Sequence, residues 1–254
     1  RDSSTSRGLG DVYKRQDLMS RVFDNNIEAT ELMLRIILGR NINVISVIGQ
    51  DEIKSHEVGG RNITLDVHAI DVNGDEIDIE VQGNSAGAHI RRARYHSSMV
   101  DSKMLDEGQE FRQLKDSYII FIYKHDKFRK GLPVYHIDRY IRETEELFDD
   151  GSHIIYVNGN YKGNDEIGQL MNDFRQTDSD KIHYAALAKG VKHFKDTEKG
   201  REQMCEAVEK YAKEYAKEYA KEYAVKEKMI SVKNLMENMK LTVDQALNAL
   251  GTVS

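Results

Sequence analysis

The residues best suited to chemistry in this 254-residue chain are two carboxylates and an amide, Asp66, Glu80 and Gln82. They lie in a segment that alternates apolar and polar residues around an Asn-Gly pair, which is typical of a β-hairpin, LDVHAIDVNGDEIDIEVQ. Side chains alternate along a strand, so Glu80 and Gln82 share one face. Carboxylate oxygens are the ligands that Mg²⁺ takes in proteins. A hairpin that sets Asp66 beside Glu80 would therefore make a magnesium site.

The length of the turn decides whether the two carboxylates meet. A two-residue turn at Asn73-Gly74 would send Asp66 and Glu80 to opposite faces of the hairpin. A three-residue loop, Val72–Gly74 with its glycine in the left-handed conformation, instead places Asp66 directly opposite Glu80. Only this second register gives both strands one apolar and one polar face. We therefore predict the longer loop, with an apolar face made of Leu65, Val67, Ile79 and Val81.

The spacing Asp-x13-Glu-x-Gln, followed by the helix-like segment HIRRARYHSSMVDSKML, resembles the PD-(D/E)XK nuclease superfamily. It is most similar to the transposase-associated branch, the Rpn-type recombination-promoting nucleases. The resemblance runs from Asp17 to about Lys195 and includes DLMSRVFDNN, RRARYHSS, DSYIIFIY, SHIIYVNG and IGQLMNDF. It implies metal-dependent hydrolysis of DNA phosphodiester bonds, with Mg²⁺ or Mn²⁺ as cofactor and DNA as partner.

Matching positions carry the implied roles onto this chain. Asp66 and Glu80 resemble the metal-binding carboxylates, and the backbone carbonyl of Val81 is implied as a further metal ligand. Gln82 takes the position where the superfamily often has lysine. A neutral amide can orient water or a phosphate oxygen by hydrogen bonding, but it supplies no positive charge to the transition state.

Other polar residues near the hairpin have less defined roles. Family members often place one more acidic residue on the first helix, where Glu28 and Glu31 are candidates. We expect Glu31 to be the catalytic one, because it lies deeper in the helix. His68 is interpreted either as a substrate contact or as an ordinary packing residue. Asp78 shares a face with Glu80, and we expect it to adjust the electrostatics there.

A basic cluster follows the hairpin, on a predicted helix from Ala88 to Leu105. On this helix Arg91 and Tyr95 share one face, and Arg92 shares the next with His96, because residues four apart are neighbours. Arginine forks suit phosphate oxygens, and a tyrosine can stack on a base or a sugar. The resemblance points to Arg92 and Tyr95, and we predict that these two and Arg91 contact DNA. The alternative is a solvated helix face with Tyr95 half-buried.

Whole-chain composition bounds the function without identifying it. The net charge of −6 and the isoelectric point near 5.9 are not those of a general nucleic-acid binder, so DNA affinity would depend on a local basic groove and bound metal. The apolar runs are too short to cross a bilayer, and we expect no membrane partner. The single cysteine, Cys205, excludes an internal disulfide and favours a reducing, cytoplasmic location.

The order of elements predicts an α/β protein in which helices flank a sheet, and the resemblance implies a restriction-endonuclease-like core with a central mixed sheet. The run Ser117–Tyr123 is almost entirely apolar and aromatic, which indicates a central strand covered on both faces. Further strands are expected at Asn43–Gln50, Ile63–Ala69, Ile77–Gln82, Val134–Ile137 and His153–Val157. Helices are expected from Leu18 to Gly39, in one or two pieces, and at Asp165–Phe174 and Ile182–Phe194.

We divide the chain into four parts. Residues 1–16 lack any helix or strand period and resemble translated sequencing-adapter read-through, so we expect them to be disordered and foreign to the fold. Residues 17–197 form the nuclease-like domain. Residues 198–228 contain Tyr-Ala-Lys-Glu repeats and are predicted to be a long helical spacer. A four-residue period drifts off a coiled-coil seam, which favours the spacer over the alternative, dimerisation through this helix.

Residues 229–254 are predicted to form a C-terminal helical hairpin. Met229, Val232 and Met236 lie on one helical stripe, and Thr242 with Gln245 forms a T-x-x-Q capping box. This hairpin could dock on the nuclease domain, pair with a second copy of the chain, or contact DNA.

Two classes of function follow from the sequence. The first is a Mg²⁺-dependent DNA endonuclease associated with recombination or transposition of mobile DNA. The second is a catalytically inactive protein of the same fold that acts as a DNA-binding or assembly module.

Overall fold

The computed structural model describes residues 19–55, 59–83, 86–176, 178–196 and 229–240, and residues 242, 243, 245, 249 and 250. The predicted leader, 1–16, and the repeat-containing spacer, 198–228, lie outside the described residues. The chain divides into two units, Arg1–Met204 and Cys205–Ser254. None of the helices within the described ranges is long and apolar enough to cross a membrane.

A six-stranded mixed sheet forms the centre of the first unit. Its strands are β1 (Val44–Ile53), β2 (Ile63–Asp71), β3 (Glu76–Gln82), β4 (Ser117–Tyr123), β5 (Val134–Ile137) and β8 (Ser152–Asn158). They lie in the order β1-β2-β3-β4-β8-β5, with β3, β4 and β8 parallel and the other neighbours antiparallel. The central position predicted for β4 is confirmed.

Helices cover both faces of this sheet, as predicted for an α/β fold. Among the described residues of the first unit, four α-helices pack on the sheet, α1 (Ile27–Leu38), α2 (Ile90–Met104), α3 (Glu166–Asp173) and α4 (Ala185–Asp196). A short helical segment, 19–23, precedes α1. The apolar residues of α1, α3 and α4 pack on one face of the sheet, and those of α2 pack on the other. Helix α2 is thus the only one of the four on its side.

The boundaries of α1 follow from its sequence. The Asn26 side chain accepts a hydrogen bond from the Ala29 amide and caps the N-terminus. Gly39, with φ of +67°, ends the helix in the left-handed conformation, and its amide donates to the carbonyl of Arg35. The prediction that helical structure ends at Gly39 is confirmed.

The turn between β2 and β3 is the predicted three-residue loop, Val72–Gly74. The Asp71 amide donates to the Asp75 carbonyl at 3.1 Å, and the Gly74 amide donates to the Asp71 carbonyl at 3.0 Å. Gly74 has φ of +84°, which a residue without a Cβ adopts at little cost. The two-residue alternative at Asn73-Gly74 is excluded by this pairing.

The register that results is the predicted one. Val67 pairs with Ile79, so one further step along the strands brings Asp66 opposite Glu80. One part of the prediction is wrong, because Leu65 packs in the core beneath α2 while Val67 packs in the core on the other face. Residues two apart normally share a face, so the alternation of β2 shifts at Asp66. The ladder between β2 and β3 also ends there, with Val67 as its last paired residue.

Two features of the strands were not predicted. Strand β1 continues three residues beyond Gln50, which itself has a left-handed φ of +57°. A two-stranded antiparallel hairpin, β6 (Tyr140–Ile141) with β7 (Glu146–Leu147), lies between β5 and β8 in the sequence and forms a separate sheet. Strands this short carry no period that a sequence pattern can reveal.

The second unit is described in part. Residues 229–239 are helical, in agreement with the predicted stripe of apolar residues. The predicted capping box is formed, since the Thr242 amide donates to Gln245 Oε1 at 2.9 Å and the Gln245 amide donates to Thr242 Oγ1 at 3.3 Å. Much of the predicted final helix lies outside the described residues.

The loop geometry makes a testable prediction at Gly74. Because its φ is positive, Gly74→Val should lower the free energy of unfolding by about 1–2 kcal/mol, whereas Gly74→Asn should lower it by less, since asparagine tolerates the left-handed region. The space around a Cβ at this position is ordinary, so backbone strain is the expected cause. Denaturant unfolding of both variants tests this, and equal losses would contradict it.

Candidate metal and nucleic-acid site

The carboxylates of Asp66 and Glu80 meet where β2 separates from β3. The Asp66 amide donates to Glu80 Oε1 at 3.0 Å, and the Val81 amide donates to Asp66 Oδ2 at 3.1 Å. Each side chain therefore bonds to the backbone of the opposite strand. These two bonds join the strands just beyond the last backbone pair, and they hold both carboxylates in place.

Gln82 and Arg92 hold the other oxygen of Glu80. Gln82 Nε2 donates to Glu80 Oε2 at 3.0 Å, and Arg92 from α2 donates to the same oxygen at 3.0 Å. The Glu80 side chain is fully buried, while that of Arg92 is 37% exposed. The Gln82 amide thus orients a carboxylate, and the positive charge beside that carboxylate comes from α2.

Asp78 and His96 also lie beside Glu80. Asp78 Oδ2 is 2.8 Å from His96 Nδ1, and the same nitrogen is 4.0 Å from Glu80 Oε1. All three side chains are buried. Asp78 is on the expected face, but His96 was not predicted as a site residue. Its position four residues after Arg92, on the same face of α2, was the signal that could have identified it.

Burial and mutual repulsion perturb every acid in this group. Burial and the charge of Glu80 raise the pKa of Asp66 to about 7, and burial and the charge of Asp78 raise the pKa of Glu80 to about 7. Burial, with the charge of Asp66, raises the pKa of Asp78 well above its usual range. Burial lowers the pKa of His96.

The raised pKa values of Asp66 and Glu80 indicate whether these residues suit a divalent cation. Paired carboxylates that resist ionisation in the protein alone are stabilised in their charged forms by a nearby cation. Oxygen ligands of this kind are those that Mg²⁺ and Mn²⁺ accept. The donor set of Asp66 and Glu80 therefore fits a divalent metal ion.

A cleft of about 800 Å³ is lined by Asp66, Gln82 and His96. Three arginines line it, Arg61, Arg91 and Arg92, and among its described lining residues Asp66 is the sole acid. Tyr95 also lines the cleft, and its hydroxyl donates to the Arg61 carbonyl at 2.7 Å. The structure thus brings the predicted residues of α2 to the same opening as Asp66. The arrangement suits an anionic ligand that reaches the carboxylates.

The structure does not bring Glu31 to this group. Glu31 Oε1 accepts a hydrogen bond from the Val44 amide at 2.9 Å, and Val44 pairs with Asp71. Asp71 is five residues from Asp66 along β2, which is about 17 Å. The expectation for Glu31 fails because helical position alone does not reveal which end of the strand the side chain reaches. Glu31 instead caps the start of β1.

The other first-helix candidate, Glu28, lies on the surface near Lys189, with 3.5 Å between Oε2 and Nζ. A different acid, Asp24, lies closer to the site, because its Oδ1 accepts from the Gly49 amide at 3.0 Å. Gly49 precedes Gln50, whose side-chain amide is 3.4 Å from Asp66 Oδ1. Asp24 comes before α1 begins, so it was not among the acids predicted on that helix.

His68 is a packing residue in this structure. Its Nδ1 lies 2.7 Å from Asp51 Oδ2 and its Nε2 lies 2.6 Å from Glu76 Oε2. The ring is 1% exposed, so no nitrogen is left for a substrate. Of the two interpretations of His68, the structure supports the packing one.

The raised pKa of Asp66 predicts how stability depends on pH. In the folded protein Asp66 holds its proton up to about pH 7, whereas the unfolded chain releases it near its ordinary value of 3.8. Between these limits the folded state binds more protons, so stability should fall as pH rises from 5 to 8 in the absence of divalent cations. Asp66→Asn should reduce this loss and raise the free energy of unfolding at pH 8 by about 1–2 kcal/mol.

Denaturant unfolding at pH 5 and pH 8 measures this effect. Asp106→Asn is the matched control, because Asp106 is an exposed acid outside the site. If wild type and Asp66→Asn lost stability equally with rising pH, Asp66 would not carry the proposed buried charge.

A family model described as PD-(D/E)XK nuclease family transposase matches residues 22–245. No curated protein and no solved structure matched the chain. The family match covers most of the chain, from the short helical segment before α1 to residue 245, and it includes Asp66, Glu80 and Gln82. The chain therefore belongs to the PD-(D/E)XK nuclease family transposases.

Proposed function

We propose that the protein is a metal-dependent DNA endonuclease that hydrolyses phosphodiester bonds and takes part in recombination or transposition of mobile DNA. The observation that carries this proposal is that Asp66, held beside the buried Glu80, lines a cleft that three arginines also line. Family membership supports the nuclease and transposition role. Cytoplasmic location and homo-oligomer formation stay predictions from the sequence.

Asp66, Glu80 and the Val81 carbonyl are the proposed metal ligands, for Mg²⁺ or Mn²⁺. When bound, such an ion would polarise the scissile phosphate and lower the pKa of the attacking water. The protein's own contribution is to hold the carboxylates in place, through the cross-strand bonds of Asp66 and Glu80 and through the amide of Gln82. Preorganised ligands of this kind do not have to be ordered during the reaction.

Arg92 supplies positive charge that Gln82 does not. It donates to Glu80 Oε2 and lines the cleft, so its guanidinium lies between the carboxylate and the space for DNA. The guanidinium can donate to a phosphate oxygen as well, because it has five N–H groups. We propose that Arg92 orients the scissile phosphate and stabilises charge that develops on it.

Arg91 and Tyr95 are proposed to bind the DNA strand beside the reacting phosphate. Both are exposed and line the cleft. The chain has a net charge of −6, so attraction for DNA has to come from this local group of arginines.

The proposal predicts that cleavage depends on both carboxylates. Plasmid nicking should occur with Mg²⁺ or Mn²⁺, stop with EDTA, and fall at least about 100-fold in Asp66→Ala and in Glu80→Ala, because each loses a metal ligand. Glu107→Ala, which removes an exposed acid outside the site, should nick like wild type.

Nicking in EDTA, or nicking unchanged by both substitutions, would overturn the proposed site. DNA binding without any cleavage by wild type would instead favour the catalytically inactive alternative. Circular dichroism of each variant separates loss of a ligand from loss of the fold.

The DNA-binding role predicts a difference between two arginines of α2. Arg91→Ala should weaken binding of a DNA duplex and lower the slope of log affinity against log salt by about one, since one phosphate contact is lost. Arg94 is exposed on the same helix but does not line the cleft, so Arg94→Ala is the matched control. Fluorescence anisotropy over a salt series in EDTA measures both, and equal effects would refute the assignment of Arg91.

A further inference from the structure

Glu80 also belongs to a second group of buried side chains, which it forms with Asp78 and His96. Asp78 and Glu80 come from β3, and His96 comes from α2. One ligand atom from each lies within 4.8 Å of the other two, and each residue is at most 2% exposed. Acids and histidines of this kind are seldom fully buried without a partner that balances their charge.

One oxygen in the group lacks such a partner. Asp78 Oδ1 is buried and accepts no hydrogen bond from any residue in the described part of the chain. A buried carboxylate oxygen without a donor costs free energy, and such atoms are uncommon in folded proteins. An unpartnered carboxylate oxygen in such a group is available as a ligand for a cation.

The distances suit coordination by one ion. His96 Nδ1 is 2.8 Å from Asp78 Oδ2 and 4.0 Å from Glu80 Oε1. Ligands held at about 2.1 Å from a metal ion lie roughly 3.0 Å apart when adjacent in an octahedron and roughly 4.2 Å apart when opposite. Only small movements of the side chains would be needed.

The alternative is a hydrogen-bonded pair of His96 and Asp78 that fills the space between helix and sheet. His96 does pack against a ring of the core, with 5.9 Å between its centroid and that of Phe121. That alternative leaves Asp78 Oδ1 without a donor, although Glu80 has partners in the Asp66 amide, Gln82 and Arg92. A cation bound among the three side chains would satisfy the Asp78 oxygen.

We propose that Asp78, Glu80 and His96 form a second, inner cation site, which shares Glu80 with the Asp66 site. Imidazole is a poor ligand for Mg²⁺ and a good one for transition metals, so we assign the inner site to a divalent transition-metal ion such as Mn²⁺. The ion has an entry path, because His96 also lines the arginine-bearing cleft. The inner site shares a residue with the proposed nuclease centre, but it holds or fails independently of nuclease activity.

Nitrogen coordination distinguishes this site from the outer one, whose ligands are all oxygens. Full-length protein stripped with EDTA is loaded with Mn²⁺, and pulsed electron paramagnetic resonance detects modulation from a directly bound nitrogen. We expect nitrogen modulation in wild type and in Asp66→Asn, and its loss in His96→Gln. His136→Gln removes an exposed histidine of β5 and is the matched control that should keep the signal.

A second variant covers the case in which His96→Gln fails to fold. Asp78→Asn keeps the shape of the side chain and should weaken Mn²⁺ affinity about tenfold or more in a folded protein, as shown by circular dichroism. Wild-type protein without nitrogen modulation, or modulation that survives His96→Gln, would overturn the proposal, as would unchanged affinity in Asp78→Asn.

Nicking by the same preparations separates the two proposals. Nicking without nitrogen coordination overturns the inner site and leaves the nuclease centre standing. Nitrogen coordination without nicking overturns the nuclease proposal and supports the inner site.

Discussion

The exchange of hydrogen bonds between Asp66 and Glu80 is the interaction on which the site depends. Each carboxylate accepts an amide from the opposite strand, so the strands remain joined just past the last residue of the backbone ladder. These bonds strengthen when the carboxyl groups ionise, because a charged acceptor makes a stronger hydrogen bond than a neutral one. They lie at the point where the alternation of β2 shifts, since Leu65 before Asp66 and Val67 after it contribute to different cores.

The two faces of β3 show how stability and function are divided. One face presents Ile77 and Ile79 to a core formed with α1, α3 and α4, and hydrophobic burial there stabilises the fold. The opposite face buries Asp78, Glu80 and Gln82 beneath α2, where desolvated charges oppose stability. Helix α2 supplies the groups that compensate, since it carries the partners of both acids. The apolar layer thus supports a polar layer that could not be stable by itself.

Sequence patterns predicted what depends on local periodicity. The apolar run of β4 and the alternation of the β2–β3 hairpin each determine an element from a few adjacent residues, and the left-handed glycine determines the register. Contacts between distant elements were predicted less well. Glu31 was assigned to the wrong end of the sheet, and His96 was overlooked, because the docking of α1 and α2 on the strands is set by packing over the whole domain.

The three-residue turn between β2 and β3 has an evolutionary consequence. Substitutions in this loop change stability by amounts that the rest of the fold can absorb. Loss or gain of a single codon is different, because each side chain of one strand would then face the opposite layer. A lineage could therefore keep every ligand residue and still lose the site through one in-frame deletion. Selection that preserves the site would therefore act on the length of the loop as well as on the carboxylates.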